Sequence, residues 1–184
     1  MELIRNAQFI RGLSKNKRFQ AGLPVIPKLL SKDVMKEHNY FAICPGGETP
    51  LKYWNEEKYA EVINYIFEKD WNIKCVAIGV RKEINELRKI RNHVVHKERI
   101  ISMLGRTDLL EYIEILRKAR WLITNDTSAA HIAGAVGTPS AAVAVSWDIG
   151  RFYPYQVEKN MSDCMLPVGI HAGLSCACIP TGSI

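Results

Sequence analysis

The chain reads as an α/β domain, a parallel sheet covered by helices on both faces. Three observations predict it. Short apolar runs alternate with segments of helical period from Tyr40 to Val145. Most of those runs end in loops rich in Gly, Pro, Asn or Asp, as buried strands do. The chain has 184 residues, 47% of them hydrophobic and 24% charged, which suffices for one substantial core.

Taken in order, residues 1–39 show no clear period, and Gly22-Leu23-Pro24 and Ile26-Pro27 mark breaks. This stretch reads as a linker, or the remnant of a preceding half, with a short helix expected over Ser31–His38. Order is expected to begin at Tyr40–Cys44, an apolar strand running into Pro45-Gly46-Gly47. Asn55 opens a helix whose stripe is Tyr59, Val62, Ile63, Ile66 and Phe67. Ile73–Ile78 is the next strand, closed by Gly79, and Glu83–Arg91 a charged, exposed helix. Val94-Val95 reads as a very short strand. Asp108 and Glu111 form a capping-box start, with Leu109, Ile113 and Leu116 on one face. Trp121–Thr124 is a strand, 129–136 a small-residue helix, and Ala141–Val145 a further strand. Past Tyr153-Pro154-Tyr155 the pattern weakens.

In a sheet of this kind ligands bind at the carboxyl ends of the strands. The 45–52, 79–83, 105–107, 125–131 and 146–148 loops should therefore meet in one crevice. Asp126 or Thr127 can cap the helix that follows Thr124, and its free N–H groups suit a phosphate. His131 lies about one turn further on. Gly46 and Gly47 allow close backbone approach, and Lys52 can reach an anion as a point charge. Glu83 can accept from ribose hydroxyls, and Asp126 can orient Lys52 or His131. Trp54 and Trp147 read as packing residues. There is no G-x-G-x-x-G and no P-loop, so neither common nucleotide motif is available.

Other classes are narrowed by composition. No apolar run approaches the roughly 20 residues of a membrane span, and Met1–Arg5 lacks a signal-peptide core. The expectation is a cytoplasmic protein. Residues 1–40 carry eight Lys/Arg against three acidic residues, most of the net charge of +6. That permits contact with an anionic surface such as lipid or lipopolysaccharide. Aromatic interleaving is sparse there, which argues against nucleic acid. Cys44 and Cys75 read as small core residues. Cys164, Cys176 and Cys178 with His171 match no zinc spacing, so no metal is expected.

Four motifs in order resemble the C-terminal half of a family 9 glycosyltransferase, the bacterial heptosyltransferase family. They are Pro45-Gly46-Gly47 leading to Lys52-Tyr53-Trp54, Gly79 through Glu83, Gly105-Arg106-Thr107-Asp108-Leu109, and Asn125–His131 followed by Gly137-Thr138-Pro139. Ser128 stands where the last motif has glycine, and Glu48 adds a carboxylate to the first. The resemblance implies one Rossmann-like half of a GT-B fold, with residues 40–184 as the donor-binding domain. It implies an ADP-sugar substrate, typically ADP-heptose, and no cofactor. Lys52 would contact the donor phosphates. Gly47, Glu48, Asp126, Thr127 and Ser128 would line the pyrophosphate, with His131 beside it. Glu83 would hold the ribose and Thr107 would lie near the adenine. The implied reaction is inverting transfer to lipopolysaccharide or another glycan. The family's general base, an aspartate, belongs to the other half, so no catalytic residue is assigned in this chain. That half could be a separate subunit, and self-association is also expected. The alternative is a non-catalytic nucleotide- or partner-binding module on the same fold.

Overall fold

The computed structural model describes residues 2–14, 24–28, 35–49, 52–145 and 164–168, with isolated positions 16, 18, 20 and 22. Among them six strands form one parallel sheet: β1 Tyr40–Cys44, β2 Lys74–Ala77, β3 Ile100–Ser102, β4 Leu122–Asn125, β5 Ser140–Val145 and β6 Cys164–Val168. The order across the sheet is β3-β2-β1-β4-β5-β6. The chain steps outward from β1 to β3, then returns to the other side of β1 with β4. The carboxyl ends of β1 and β4 thus flank the point where the connections diverge, where an α/β sheet leaves a crevice.

Why the sheet is doubly covered follows from its pleat. In β1, Phe41 and Ile43 pack with Tyr59, Ile63 and Phe67 of α2 (Glu56–Lys69) and Leu87 and Ile90 of α3 (Ile84–His93). Tyr40, Ala42 and Cys44 point the other way, into Ile115 and Leu116 of α4 (Leu109–Lys118) and Ala129 and Ala133 of α5 (Ser128–Val136). Alternate residues meeting opposite helix layers is the period-2 rule applied to a strand buried on both faces. The α5 helix is built of small residues, five of them buried, so its backbone lies close to the sheet. It ends at Gly137, whose φ of 83° is the left-handed cap conformation that glycine adopts at least cost.

The starts of α2 and α4 are fixed by side chains. Asn55 Oδ1 accepts the N–H groups of Glu57 and Lys58 at 2.7 and 3.2 Å. Asp108 and Glu111 exchange backbone N–H groups at 2.8 and 2.9 Å, the expected capping box. At the opposite edge Arg99 donates to the carbonyls of Phe67, Asp70 and Ile73, closing the end of α2 onto the start of β3.

Several expectations are corrected. Val94-Val95 is not a strand: Val94 ends α3, and the Val95 N–H donates to Asn64 Oδ1 at 3.0 Å in place of a ladder partner. The third strand is Ile100–Ser102, paired with Cys75–Ala77. The helix expected from Glu83 begins as a 3-10 turn at Arg81 and is not wholly exposed, since Glu83, Leu87 and Ile90 are buried. Leu109 does not share the buried face of Ile113 and Leu116; it is 66% exposed. Residues 2–14, read as aperiodic, form helix α1. That helix buries Ala7 while Phe9 and Leu13 stay exposed, so its large apolar residues mark no stripe. Of the helix expected over Ser31–His38, residues 35–38 are described and are not helical, and 31–34 lie outside the described residues. The 146–148 loop with Trp147, the Cys176, Cys178 and His171 positions, the Cys164 side chain and the chain after 168 also lie outside them.

Upstream of β1, residues 24–28 run against the α4–α5 layer. The Ile26 N–H donates to Ala135 O at 2.9 Å, and Arg117 donates to the carbonyls of Ile26 and Pro27. Arg117 also pairs with the buried Glu114 at 3.0 Å.

Candidate functional site

The site is built on one fully buried amide. Asn125, the last residue of β4, donates from Nδ2 to Pro45 O at 2.6 Å and Gly46 O at 3.0 Å. Its Oδ1 accepts the Trp54 N–H and the Tyr59 hydroxyl, both at 3.1 Å. The β1 loop is thereby tied to the end of β4 from both its sides. Thr124 adds to the joint, its Oγ1 lying 3.0 Å from Thr127 Oγ1 and bonded to Asn125 O at 2.8 Å. Thr127 is the cap of α5, its Oγ1 accepting the Ala129 N–H at 3.2 Å. In the same turn the Ala130 N–H donates to Thr127 O at 3.2 Å.

Glu83 is placed by two glycines. A Cβ on Gly46, or on Gly79, would overlap its carboxyl group, so neither position admits a side chain without displacing it. Gly79 also has φ 145°, which disfavours any L-residue. Glu83 Oε2 accepts the Val80 N–H at 3.0 Å. Burial raises its pKa, with the Val80 bond and nearby Lys82 acting against that rise. A further bond, Gly105 N–H to Gly79 O at 2.9 Å, holds the β2 and β3 loops together.

Between these loops lies an open cleft of about 710 Å³, a size suited to a small-molecule ligand. All nine residues singled out from the sequence line it: Gly47, Glu48, Lys52, Glu83, Thr107, Asp126, Thr127, Ser128 and His131. They come from four separate loops, and the sheet order brings them together. Sequence reasoning missed Cys44, Val80, Tyr112 and Ile132 as wall residues. Tyr112 lies four residues after the Asp108 cap, and this spacing from a recognised helix start was the available signal. Its hydroxyl lies 3.8 Å from Cys44 Sγ. Burial raises the pKa of both groups.

The electrostatics of the cleft are divided. Lys52 Nζ lies 2.5 Å from Asp126 Oδ2, with the carboxylate 9% and the ammonium 23% exposed. Asp126 is thus not the helix cap; that role is Thr127's, and Asp126 holds the lysine over the start of α5. His131 has its pKa lowered, chiefly by burial, with Asp126 opposing the shift. That shift favours the neutral imidazole. Among the described residues no group of His, Cys, Asp and Glu is arranged to hold a metal ion. Trp54 packs on the core, ring to ring with Tyr59 at 5.0 Å, as expected.

Residues 10–167 match the family model for glycosyltransferase family 9 (heptosyltransferase). The lipooligosaccharide heptosyltransferase 2 of Haemophilus ducreyi is 32% identical over 120 residues, covering 64% of this chain and 34% of that protein. A family 9 glycosyl transferase structure from Veillonella parvula superposes with a TM-score of 0.59 at 20% identity, covering 90% of this chain and 40% of that one. The E. coli heptosyltransferase WaaC, solved with ADP-2-deoxy-2-fluoro heptose, gives 0.54 at 22% identity, covering 70% and 37%. At those identities the likeness to solved structures is one of fold. The chain spans about a third of the length of the curated relatives it matches, 34% for the Haemophilus ducreyi protein.

Proposed function

Because the chain belongs to glycosyltransferase family 9, the heptosyltransferase family, we propose that its cleft binds the nucleotide-sugar donor of an inverting glycosyl transfer. The donor is an ADP-sugar of heptose type, and the acceptor is a lipopolysaccharide or another glycan. The observation that carries this reading is the convergence of Lys52, Glu83, Thr107 and the α5 start on one cleft at the carboxyl edge of the sheet. The diphosphate lies at the N-terminus of α5, where the helix dipole favours an anion, with Lys52 completing the cradle. As the sugar leaves, charge grows on the departing diphosphate. Groups that strengthen their hold on that charge lower the barrier. Glu83 receives the ribose hydroxyls, and Thr107 lies on the adenine side.

None of the described residues is assigned as general base. The base and the acceptor contacts belong to a second wall, contributed by the remainder of a family-length protein, a separate subunit or a second copy. Val80, Ile84, Leu109 and Leu110, all exposed apolar residues of the β2 and β3 loop region, mark where that wall would cover the cleft. No helix among the described residues is long and apolar enough to cross a membrane. We place the protein in the cytoplasm, its basic first 40 residues offering contact with the anionic inner face of a membrane. A non-catalytic nucleotide- or partner-binding role is the second reading, favoured by Glu48, a carboxylate in the lining of the cleft.

Calorimetry on the 184-residue chain tests the proposal. ADP and ADP-heptose are expected to bind, and Lys52→Ala to weaken both by about 10- to 100-fold, the range for a charge-assisted hydrogen bond. Absence of heat with every nucleoside diphosphate overturns it.

A further inference from the structure

The cleft has two ends, and sheet order sets them apart. The segments after β2 and β3 contribute Val80, Lys82, Glu83, Thr107, Asp108 and Leu109. The β1 and β4 loops contribute Glu48, Lys52, Asp126 and His131. With β1 central and β4 on its far side from β2 and β3, these two sets of residues occupy opposite ends of one trough. On the donor-site reading the nucleoside lies toward Glu83 and Thr107 and its phosphates over α5, so that whatever follows the diphosphate lies at the β1 and β4 end. There Lys52 is engaged with Asp126. Glu48 is different: it is exposed, lines the cleft, and has no hydrogen-bond or ion-pair partner among the described residues.

We infer that Glu48 makes this cleft discriminate the nucleotide sugar from the free nucleoside diphosphate. This rests on the donor-site reading above. The terminal phosphate of a free diphosphate carries a second negative charge near neutrality, the second pKa of a phosphoryl group being about 6. The same phosphate esterified to a sugar carries one charge. A carboxylate beside it repels the former more strongly, and it accepts hydrogen bonds from the hydroxyls of the latter. Glu48 thus favours occupancy by donor and departure of product.

The test is calorimetry at pH 7.5 with ADP and with ADP-heptose, on the unmodified chain and on Glu48→Gln. ADP is expected to tighten by about three- to fivefold in the variant, as for removal of one partly screened like charge. ADP-heptose is expected to bind no tighter. Glu48→Lys should tighten ADP further, and melting temperatures of both variants should match the parent, showing that packing is untouched. Equal changes for the two ligands, or no change for either, overturn the inference while leaving the donor-site reading standing. Failure of both ligands to bind the unmodified chain overturns the donor-site reading and this inference with it.

Discussion

His131 illustrates how a residue's chemistry is set by its surroundings. Burial lowers its pKa below the ordinary imidazole value of 6.5, and Asp126 only partly opposes that. On the donor-site reading a diphosphate bound nearby favours the imidazolium, and the pKa in the complex is expected above that of the free chain. Binding then takes up a proton wherever the pH lies between the two values, and affinity falls as pH rises through that window. Below the free-state pKa the ring is charged in both states and the dependence levels off. ADP affinity measured from pH 5 to 8 should show this slope, and His131→Asn should flatten it. An unchanged slope in the variant would show that the proton is taken up elsewhere. His131 itself was legible in the sequence because it falls one turn into a helix with a recognisable start. Its burial was not, since that depends on which loops fold over it.

At the scale of elements, the two ends of the sheet divide the work. The carboxyl edge holds the cleft, and the opposite edge holds Arg99, whose guanidinium donates to Phe67, Asp70 and Ile73 carbonyls and sits 4.0 Å from the Phe67 ring. These carbonyls belong to the end of α2 and the approach to β2. Arg99→Ala should therefore cost about 1.5–3 kcal/mol of unfolding free energy in urea, the range for hydrogen bonds to a charged group. ADP affinity should stay unchanged. A loss of affinity as large as the loss of stability would show that the two edges are coupled. Arg99 escaped notice in the sequence because its partners are backbone carbonyls in another element, and nothing in residue type records them. Its neighbour β3 escaped as well: three residues, Ile100–Ser102, form a strand only because β2 offers an edge to pair with. The capping residues Asn55 and Asp108, whose partners lie within three positions, were legible.

For the whole molecule, the sheet order decides what the chain can do. One wall of a cleft is complete, and its apolar rim is exposed. On the reading proposed, the chain alone binds donor and transfers nothing. Release of ADP from ADP-heptose in the presence of a lipopolysaccharide acceptor should stay at the background rate, and turnover above background would place a base within this chain. The sequence by itself determined most of the alternation of strand and helix and the caps Asn55 and Asp108, because each rests on periodicity or on partners a few positions away, while Glu48 and Thr107 joined the cleft residues only through the family resemblance. Only the tertiary structure decided that Asn125 clasps the β1 loop, that Glu83 is wedged between Gly46 and Gly79, and that Lys52 is held by Asp126. Those contacts join residues tens of positions apart. The clasp and the ion pair arise when the crossover after β3 brings β4 back beside β1, and the wedge when β2 pairs with β1, placements set by burying both faces of the sheet and not encoded in any one segment.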